Sequence, residues 1–395
     1  MNALLRLISG DAVSKALAAA TNIFLIRAMP PAQYAVFASM FALALFAYQA
    51  ACGVVERLYI AEHSRFSGRE RTILNVLLMA AGVLITLFYG TRGEWGLAAL
   101  TFVVSYSLGS FQLARIRLQK QERYTAFVVM EASRNLITMV IVAGILFFGG
   151  LGNYTGMVAM TAVGLSALVV DLFARRWVSA SPRSSESYPQ TIAAVFKRQA
   201  LVYYSLIGAL VPYMPILLAD ALANEHAVAT YGVAQRYQAI LSMLVVATNV
   251  YMLPRLANEA SMTGAVSAVR SFYRHTGKIL ASIVAYVGLV WAAMPWMNGP
   301  GHDDARGAFL ILSLCSVLSL LSSPLVNLLL RQESYRFMLA SMVAGVVSML
   351  AVCLGTIPIF GDWSFGLGSL AGYAVISGLF AVGGLQVIKI AHPAR

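Results

Sequence analysis

Many long stretches of this chain, each of at least 18 residues, contain no Asp, Glu, Lys or Arg. About 18 to 20 apolar residues are enough for a helix to cross a bilayer. Only 11% of all residues are charged, whereas soluble domains average about 25%. These features exclude a soluble globular enzyme and predict an all-α polytopic membrane protein. These uncharged stretches include 97–114, 135–170, 199–219, 279–302, 307–330, 337–361 and 363–388.

Clusters of charged residues and Pro/Gly turns divide the 395 residues into about twelve predicted transmembrane helices. We predict an N-terminal six-helix bundle over 1–174, a cytoplasmic linker over 175–199 and a C-terminal six-helix bundle over 200–395. The predicted spans are 8–29, 33–56, 72–90, 95–114, 124–148, 155–174, 200–220, 229–253, 277–297, 307–330, 337–357 and 365–388.

The distribution of basic residues predicts the orientation of these spans. With the N-terminus in the cytoplasm, 23 of the 28 Lys and Arg residues lie on the cytoplasmic side, as the positive-inside rule requires. Both termini are then cytoplasmic. The same scatter over many loops argues against a nucleic-acid partner. The outer connections are about ten residues or fewer, which leaves no room for an extracytoplasmic catalytic domain.

The three cysteines, Cys52, Cys315 and Cys353, lie inside apolar stretches and lack the spacing of metal ligands. We therefore expect no disulfide framework, no metal site and no cofactor.

Three short matches in chain order indicate an internal duplication. The sequence AQYAV at 32–36 resembles ATYGV at 229–233, RL at 57–58 resembles RL at 255–256, and QERY at 121–124 resembles QESY at 332–335. Six spans in each half give both halves the same orientation. We therefore predict a parallel repeat about a pseudo-twofold axis along the membrane normal, with a site between the halves as in many transporters.

Charged residues inside predicted spans require an explanation, because each costs roughly 2.5 to 3.5 kcal/mol at the bilayer centre. In span 1, Asp11 and Lys15 are four residues apart and share a helical face. They form either an ion pair with Lys15 reaching the interface or part of a cavity lining. In span 5, Glu131 and Arg134 are either a structural pair that neutralises itself or functional groups near mid-membrane.

Arg236 in span 8 has no acid within four residues along the chain. It contacts either an anionic ligand or Asp220, at the outer end of span 7. Arg57 and Arg255 would be related by the repeat at the cytoplasmic ends of spans 2 and 8. Two such guanidiniums suit a diphosphate, although single arginines at span ends also serve as ordinary positive-inside anchors.

Pro212 and Pro215 interrupt backbone hydrogen bonds within one turn of span 7 and predict a broken helix. This break is either a hinge or a static kink. Tyrosines cluster in spans 7 and 8, among them Tyr203, Tyr204, Tyr213, Tyr231 and Tyr237. We expect most of these to lie at the bilayer interface, the alternative being to stack on sugar rings.

Three segments resemble the Wzx-type polysaccharide flippases of the multidrug/oligosaccharidyl-lipid/polysaccharide exporter superfamily. They are RAMPPAQYAVF at 27–37, the segment 229–236 that leads to LPRL at 253–256, and the segment 117–134. The likeness covers nearly the whole chain, including the six-plus-six duplication and the linker.

The resemblance implies a V-shaped bundle whose cavity, lined by spans 1, 2, 7 and 8, opens alternately to each side of the bacterial inner membrane. Its implied substrate is an undecaprenyl-diphosphate-linked oligosaccharide, moved to the periplasmic leaflet for cell-surface polysaccharide synthesis. Implied partners are membrane lipids, a polysaccharide polymerase, and H⁺ or Na⁺ as coupling ion. The candidate substrate-binding residues are Lys15, Arg57, Arg134, Arg236 and Arg255, and the candidate coupling or gating residues are Asp11, Glu131, Asp220, Pro212 and Pro215.

Alternative functions remain open at this point. A membrane-embedded glycan polymerase, ligase or acyltransferase would need a catalytic loop or a cluster of acids and histidines, so we expect a transporter and not an enzyme. A small-molecule antiporter of the multidrug branch would carry more acidic residues in spans 1 and 7. Lipid II flippases of the superfamily usually carry two further spans, for which this chain has no room.

Overall fold

The computed structural model describes residues 2–61, 68–121, 123–147, 152–177, 195, 197–222, 224–259, 261–298 and 300–391. In these ranges the regular structure is entirely helical. The helices are α1 (Asn2–Ala28), α2 (Pro31–Ala61), α3 (Glu70–Gly90), α4 (Trp95–Lys120), α5 (Tyr124–Phe147), α6 (Thr155–Ala174), α7a (Gln199–Leu210), α7b (Met214–Ala221), α8 (Glu225–Asn258), α9 (Met262–Met297), α10 (Ala305–Arg331), α11 (Tyr335–Phe360) and α12 (Trp363–Ala391).

These helices confirm the prediction of an all-α polytopic fold, with α7a and α7b as two pieces of one span. Ten of the described helical segments are long and apolar enough to cross a membrane. Two predicted boundaries are wrong. Helix α4 continues to Lys120 instead of ending near residue 114, and most of the predicted loop 254–276 belongs to α9.

The start of α9 is helical because it is amphipathic. Val266 and Val269 are buried there, whereas Arg270 and Arg274 are exposed. Such a helix can project into water with its apolar face covered by protein. Predicted span 9 therefore begins too late, at residue 277, because the amphipathic start of α9 contains no uninterrupted apolar run.

The contacts between helices divide the chain into two compact units, Met1–Tyr213 and Met214–Arg395. In the first unit α2 packs against α3, α4, α6 and α7a, while α1 packs against α5. In the second unit α8 packs against α10, and α12 packs against both α10 and α11. The division into bundles 1–174 and 200–395, and the repeat that relates them, stay predictions.

The predicted interruption of span 7 is present in the structure. Helix α7a ends at Leu210, a 3-10 turn occupies Val211–Tyr213, and α7b begins at Met214. Pro212 and Pro215 lack the N–H groups that a continuous helix would use, and their rings displace the preceding turn. The chain passes from the first unit to the second at this break. A hinge function for the two prolines stays a prediction.

Helices α11 and α12 approach each other closely along a line of glycines. A Cβ atom on Gly368 would lie 2.7 Å from the carbonyl oxygen of Met349, and one on Gly372 would lie 2.9 Å from that of Gly345. Close approach of this kind is a main source of helix association in membranes, where lipid supplies little hydrophobic driving force between helices.

We expect Gly372→Ala to destabilise the second unit by about 1 to 3 kcal/mol, because the added methyl group would clash with a backbone carbonyl that cannot rotate away. Thermal unfolding of the purified protein in detergent should show a lower midpoint. Gly378→Ala is the matched control in the same helix, because a Cβ atom there would have no neighbour within 4 Å. The two substitutions should differ in sign or size, and equal midpoints would contradict the packing argument.

Asp362, just before α12, brings together the starts of α8, α10 and α12 at one end of the second unit. Its Oδ1 atom accepts a hydrogen bond from Asn224 Nδ2 at 2.6 Å, and its Oδ2 atom lies 2.6 Å from His226 Nδ1. The other ring nitrogen of His226 lies 3.2 Å from a carboxylate oxygen of Asp304. The side chain of Tyr231 donates to the Asp362 carbonyl and accepts from the Gly366 backbone N–H.

We expect Asp362→Ala to lower the thermal midpoint and increase hydrogen exchange around residues 224–228, because the substitution leaves Asn224 and His226 without their shared acceptor. The loss should be about 1 to 2 kcal/mol, typical of hydrogen bonds to a charged group that is partly solvated. Asp303→Ala removes a neighbouring exposed aspartate and serves as the control. Equal exchange in the two variants would show that Asp362 does not hold these connections together.

Candidate functional site

A buried carboxylate between α4 and α5 is shared by two arginines in the first unit. Glu131 is only 2% exposed. Its Oε1 atom lies 2.9 Å from Arg134 Nη2, and its Oε2 atom lies 3.2 Å from Arg115 Nε. One negative charge therefore faces two positive charges. The pair Glu131–Arg134 does not neutralise itself in isolation, and the three side chains together carry one net positive charge.

The α4–α5 hairpin explains how these side chains meet. Arg115 and Glu131 each lie eight residues from Arg123, in the short connection between the helices. Residues equally distant from a tight turn lie side by side in two antiparallel helices. Glu131 and Arg134 are three residues apart on one face of α5. The spacing around the turn is thus a usable signal for Arg115, which lies outside predicted spans 4 and 5.

Arg134 is held in place by a chain of hydrogen bonds that reaches α1. Its Nε and Nη2 atoms donate to Asn135 Oδ1 at 3.3 and 2.9 Å. The amide nitrogen of Asn135 donates to the carbonyl oxygen and the hydroxyl of Ser14, at 2.9 and 2.8 Å. Asn135 and Ser14 are both buried. Because buried polar groups need partners, this chain constrains the position of α1 on α5.

Aromatic rings cover one face of each guanidinium. The guanidinium carbon of Arg134 lies 4.8 Å from the centre of the Phe111 ring, and that of Arg115 lies 4.5 Å from the centre of the Phe127 ring. Arg115 Nη1 also donates to Gln112 Oε1 at 2.9 Å. Cation–π contacts strengthen as water is removed. They orient both cations while about a fifth of each side chain remains exposed, 19% for Arg115 and 21% for Arg134.

This arrangement is suited to binding an anion. In the part of the chain that is described, no acceptor contacts Arg134 Nη1 or Arg115 Nη2. Each terminal nitrogen carries two N–H donors, and the planar guanidinium matches a phosphate or carboxylate in a two-point contact. We name Arg115, Glu131, Arg134 and Asn135 the buried cation network.

Four of the predicted site residues have side chains outside the described part of the structure. The backbones of Asp11 and Lys15 lie in α1, that of Arg57 lies in α2, and that of Arg255 lies in α8. Their roles in binding or coupling stay predictions.

Arg236 and Asp220 lie in the second unit, on α8 and α7b, and both are half-buried. A bridge between them stays a prediction, as do anion binding by Arg236 and coupling by Asp220. The residues that follow Arg236 contribute to packing. The hydroxyl of Tyr237 donates to Asn298 Oδ1 at 2.7 Å, and Gln238 Nε2 donates to the hydroxyl of Ser316 at 2.7 Å.

Of the five tyrosines named in spans 7 and 8, four are buried in protein, and their expected depth at the bilayer interface stays a prediction. Only Tyr203 is exposed, at 53%. The hydroxyls of Tyr231 and Tyr237 find hydrogen-bond partners inside the second unit, so these rings can be buried without cost to the polar group. The buried tyrosines are Tyr204, Tyr213, Tyr231 and Tyr237.

Among the described residues, no group of three or more His, Cys, Asp or Glu side chains is arranged to hold a metal ion. Cys52, Cys315 and Cys353 are free and buried.

No protein-family model matches the chain, and no curated protein sequence matches it. Solved structures do match it over nearly the full length. The eukaryotic MATE transporter AtDTX14 superposes with a TM-score of 0.62 at 16% identity, over 99% of each chain. An inward-facing multidrug resistance MATE family transporter of the MOP superfamily superposes with a TM-score of 0.64 at 13% identity, over 98% of each chain.

The lipid II flippase MurJ, in an inward closed conformation, superposes with a TM-score of 0.69 at 10% identity. The match covers 97% of this chain and 90% of MurJ. At such low identities the likeness concerns the fold. The protein is therefore a multi-pass membrane protein with the fold shared by MATE transporters and the flippase MurJ.

Proposed function

We propose that the protein moves an undecaprenyl-diphosphate-linked oligosaccharide from the cytoplasmic to the periplasmic leaflet of the bacterial inner membrane, for the synthesis of a surface polysaccharide. The observation that carries this proposal is the net positive charge of the buried cation network, placed within an apolar helical fold. The likeness to MurJ, a lipid II flippase, supports a lipid-linked substrate.

A diphosphate cannot enter hydrocarbon without partners for its charge, because desolvation of an isolated ion is very costly. A flippase must therefore offer cations to the headgroup while the polyprenyl chain stays in lipid. Arg115 and Arg134 offer guanidiniums whose orientation is already set by aromatic rings and by Asn135. Such preorganisation lowers the cost of binding.

The two-to-one ratio of arginine to glutamate has a mechanistic consequence. If one guanidinium turns from Glu131 to a phosphate, the other still neutralises the buried carboxylate. Removal of the partner from a buried ion pair would otherwise cost about 3 to 5 kcal/mol. The network can therefore bind and release an anion without leaving Glu131 alone in a site that is almost fully buried.

In this proposal Lys15, Arg57, Arg236 and Arg255 supply further contacts to the headgroup during transport. Asp11, Glu131 and Asp220 are candidates for coupling to H⁺ or Na⁺, with a polysaccharide polymerase acting on the delivered units. The interruption of span 7 at Pro212 and Pro215 provides a place where helix α7b can change its angle to α7a. We propose that it serves as a hinge for alternating access.

We expect Arg134→Gln and Arg115→Gln each to reduce transport by about ten-fold or more, because each removes a charge-assisted contact worth about 1.5 to 3 kcal/mol. The measurement is the leaflet distribution of the lipid-linked oligosaccharide, probed with a membrane-impermeant glycosidase on right-side-out and inverted vesicles. Complete units should accumulate on the cytoplasmic face.

Arg270→Gln, at an exposed position on α9, is the control and should transport normally. Protein amount in the membrane must match in all strains. Normal delivery by Arg134→Gln at an unchanged protein level would remove the buried cation network from the transport site.

Glu131→Gln should behave differently from the arginine variants. It keeps an oxygen acceptor but removes the negative charge, so both guanidiniums become available to an anion. We expect tighter retention of the lipid-linked diphosphate by the purified protein together with transport slowed by about ten-fold, since release requires Glu131 to compete for the cations. Transport equal to that of the unchanged protein would exclude Glu131 from both release and ion coupling.

Export of small molecules is a second candidate, favoured by the likeness to two MATE transporters. A strain lacking the protein would then become sensitive to drugs while its surface glycan stays unaffected. Loss of surface glycan with unchanged drug sensitivity would instead support the flippase.

A further inference from the structure

A second arginine-lined cleft lies in the first unit, where the start of α3, the end of α4 and the end of α6 meet. The cleft is shallow and open, and a water-sized sphere can occupy about 30 Å³ within it. Arg117 lies two residues after Arg115, so the two side chains leave α4 on different faces. One faces the buried cation network and the other faces this cleft. The cleft is lined by Arg71, Ser110, Leu113, Ala114, Arg117, Asp171 and Arg175.

The cleft carries an excess of positive charge. Arg117 Nη2 lies 3.2 Å from Glu70 Oε2, and Arg175 Nη2 lies 2.9 Å from Asp171 Oδ2. Both carboxylates are buried, with residue exposures of 1% and 3%, and each is neutralised by its arginine. Arg71 supplies a third positive charge and has no acidic partner among the described residues.

The helical position of Arg71 directs it toward protein. It lies on the same face of α3 as Leu74 and Leu78, which are both 1% exposed. The opposite face carries Val76 and Leu87, which are 39% and 59% exposed. Arg71 is therefore not one of the basic residues that simply extend from a loop into water, and it lines the cleft together with Arg117 and Arg175.

Apolar side chains beside the cleft place its mouth at the edge of the hydrocarbon. Leu168 and Leu172, one turn apart on the side of α6 next to Asp171 and Arg175, are 37% and 51% exposed, and Trp177 lies just beyond the helix at 39%. Tryptophan is enriched where hydrocarbon meets lipid headgroups. The exposed leucines on the preceding turns are suited to contact acyl chains. The chain orientation predicts that this end of the unit faces the cytoplasm.

We propose that this cleft binds the headgroup of an anionic phospholipid. The phosphate would contact Arg71 together with the outer N–H groups of Arg117 and Arg175, and an acyl chain would lie along Leu168 and Leu172. Arginine is well suited to phosphate because its planar donors make two-point contacts. Basic pockets between helices on the cytoplasmic side are a recurrent mode of lipid recognition.

A bound headgroup would link the ends of three helices through one ligand. Helices α3, α4 and α6 each contribute one arginine, and mutual repulsion among these cations is relieved when an anion lies between them. The lipid should therefore stabilise the first unit, since a ligand that binds only the folded state raises the free energy of unfolding. This inference does not depend on the identity of the transported substrate.

The test is a titration of the purified full-length protein, in a neutral detergent, with dioleoylphosphatidylglycerol, dioleoylphosphatidylcholine or inorganic phosphate. Binding is followed by native mass spectrometry and by the thermal midpoint. We expect phosphatidylglycerol to bind and to raise the midpoint, with phosphatidylcholine and inorganic phosphate giving much smaller effects at the same concentrations.

Arg71→Gln should weaken the binding of phosphatidylglycerol about five-fold, since each arginine near a lipid surface contributes roughly 1 kcal/mol. This substitution breaks no described ion pair, so the protein should fold. Arg92→Gln is the matched control, because Arg92 is exposed just beyond the other end of α3. Arg71→Lys keeps the charge without the planar donors and should give an intermediate affinity.

Three results would overturn the assignment. Equal binding of phosphatidylglycerol and phosphatidylcholine would show that the anionic headgroup is not recognised. Equal loss in Arg71→Gln and Arg92→Gln would show that any bound lipid lies elsewhere. Saturation by inorganic phosphate at the concentrations that suffice for phosphatidylglycerol would make the cleft a site for soluble phosphate instead of lipid.

Discussion

Hydrocarbon offers no hydrogen-bond partner to a peptide group, so each segment that crosses it must satisfy its backbone internally. This constraint explains why the described chain is helical and why a break in a helix costs free energy. The break at Val211–Tyr213 occurs where prolines already remove donors. Elsewhere, hydroxyls in the helices donate to the carbonyl one turn earlier, as Ser105 does to Thr101 and Ser313 does to Phe309.

Once the backbone is satisfied, close contact and polar bonds hold the helices together. Glycines allow α11 and α12 to pack with their backbones in near contact. The hydroxyls of Thr138 and Ser166 lie 2.6 Å apart between α5 and α6. Such contacts are directional, and so they specify which helices meet. The buried cation network does the same for α1, α4 and α5, and its excess charge adds the capacity to bind an anion.

Helix α4 links the two arginine sites of the first unit. Arg115 faces the buried carboxylate of Glu131, and Arg117 faces that of Glu70. In both sites an almost fully buried acid is balanced by arginine, and a further cation remains. The buried cation network is suited to the transported headgroup that we propose. The cleft opens beside exposed apolar residues of α6 and is suited to a resident lipid.

The sequence by itself determined the helical class, the approximate number of spans and the break near Pro212, because these depend on local hydropathy and backbone chemistry. It also identified Glu131 and Arg134 as charges needing explanation. The packing of the helices adds that Arg115 completes their network, that Tyr231 and Tyr237 are buried, and that Arg71 meets Arg117 and Arg175 in one cleft. These facts depend on which helix faces are in contact, and residues distant in sequence become neighbours only when helices pack.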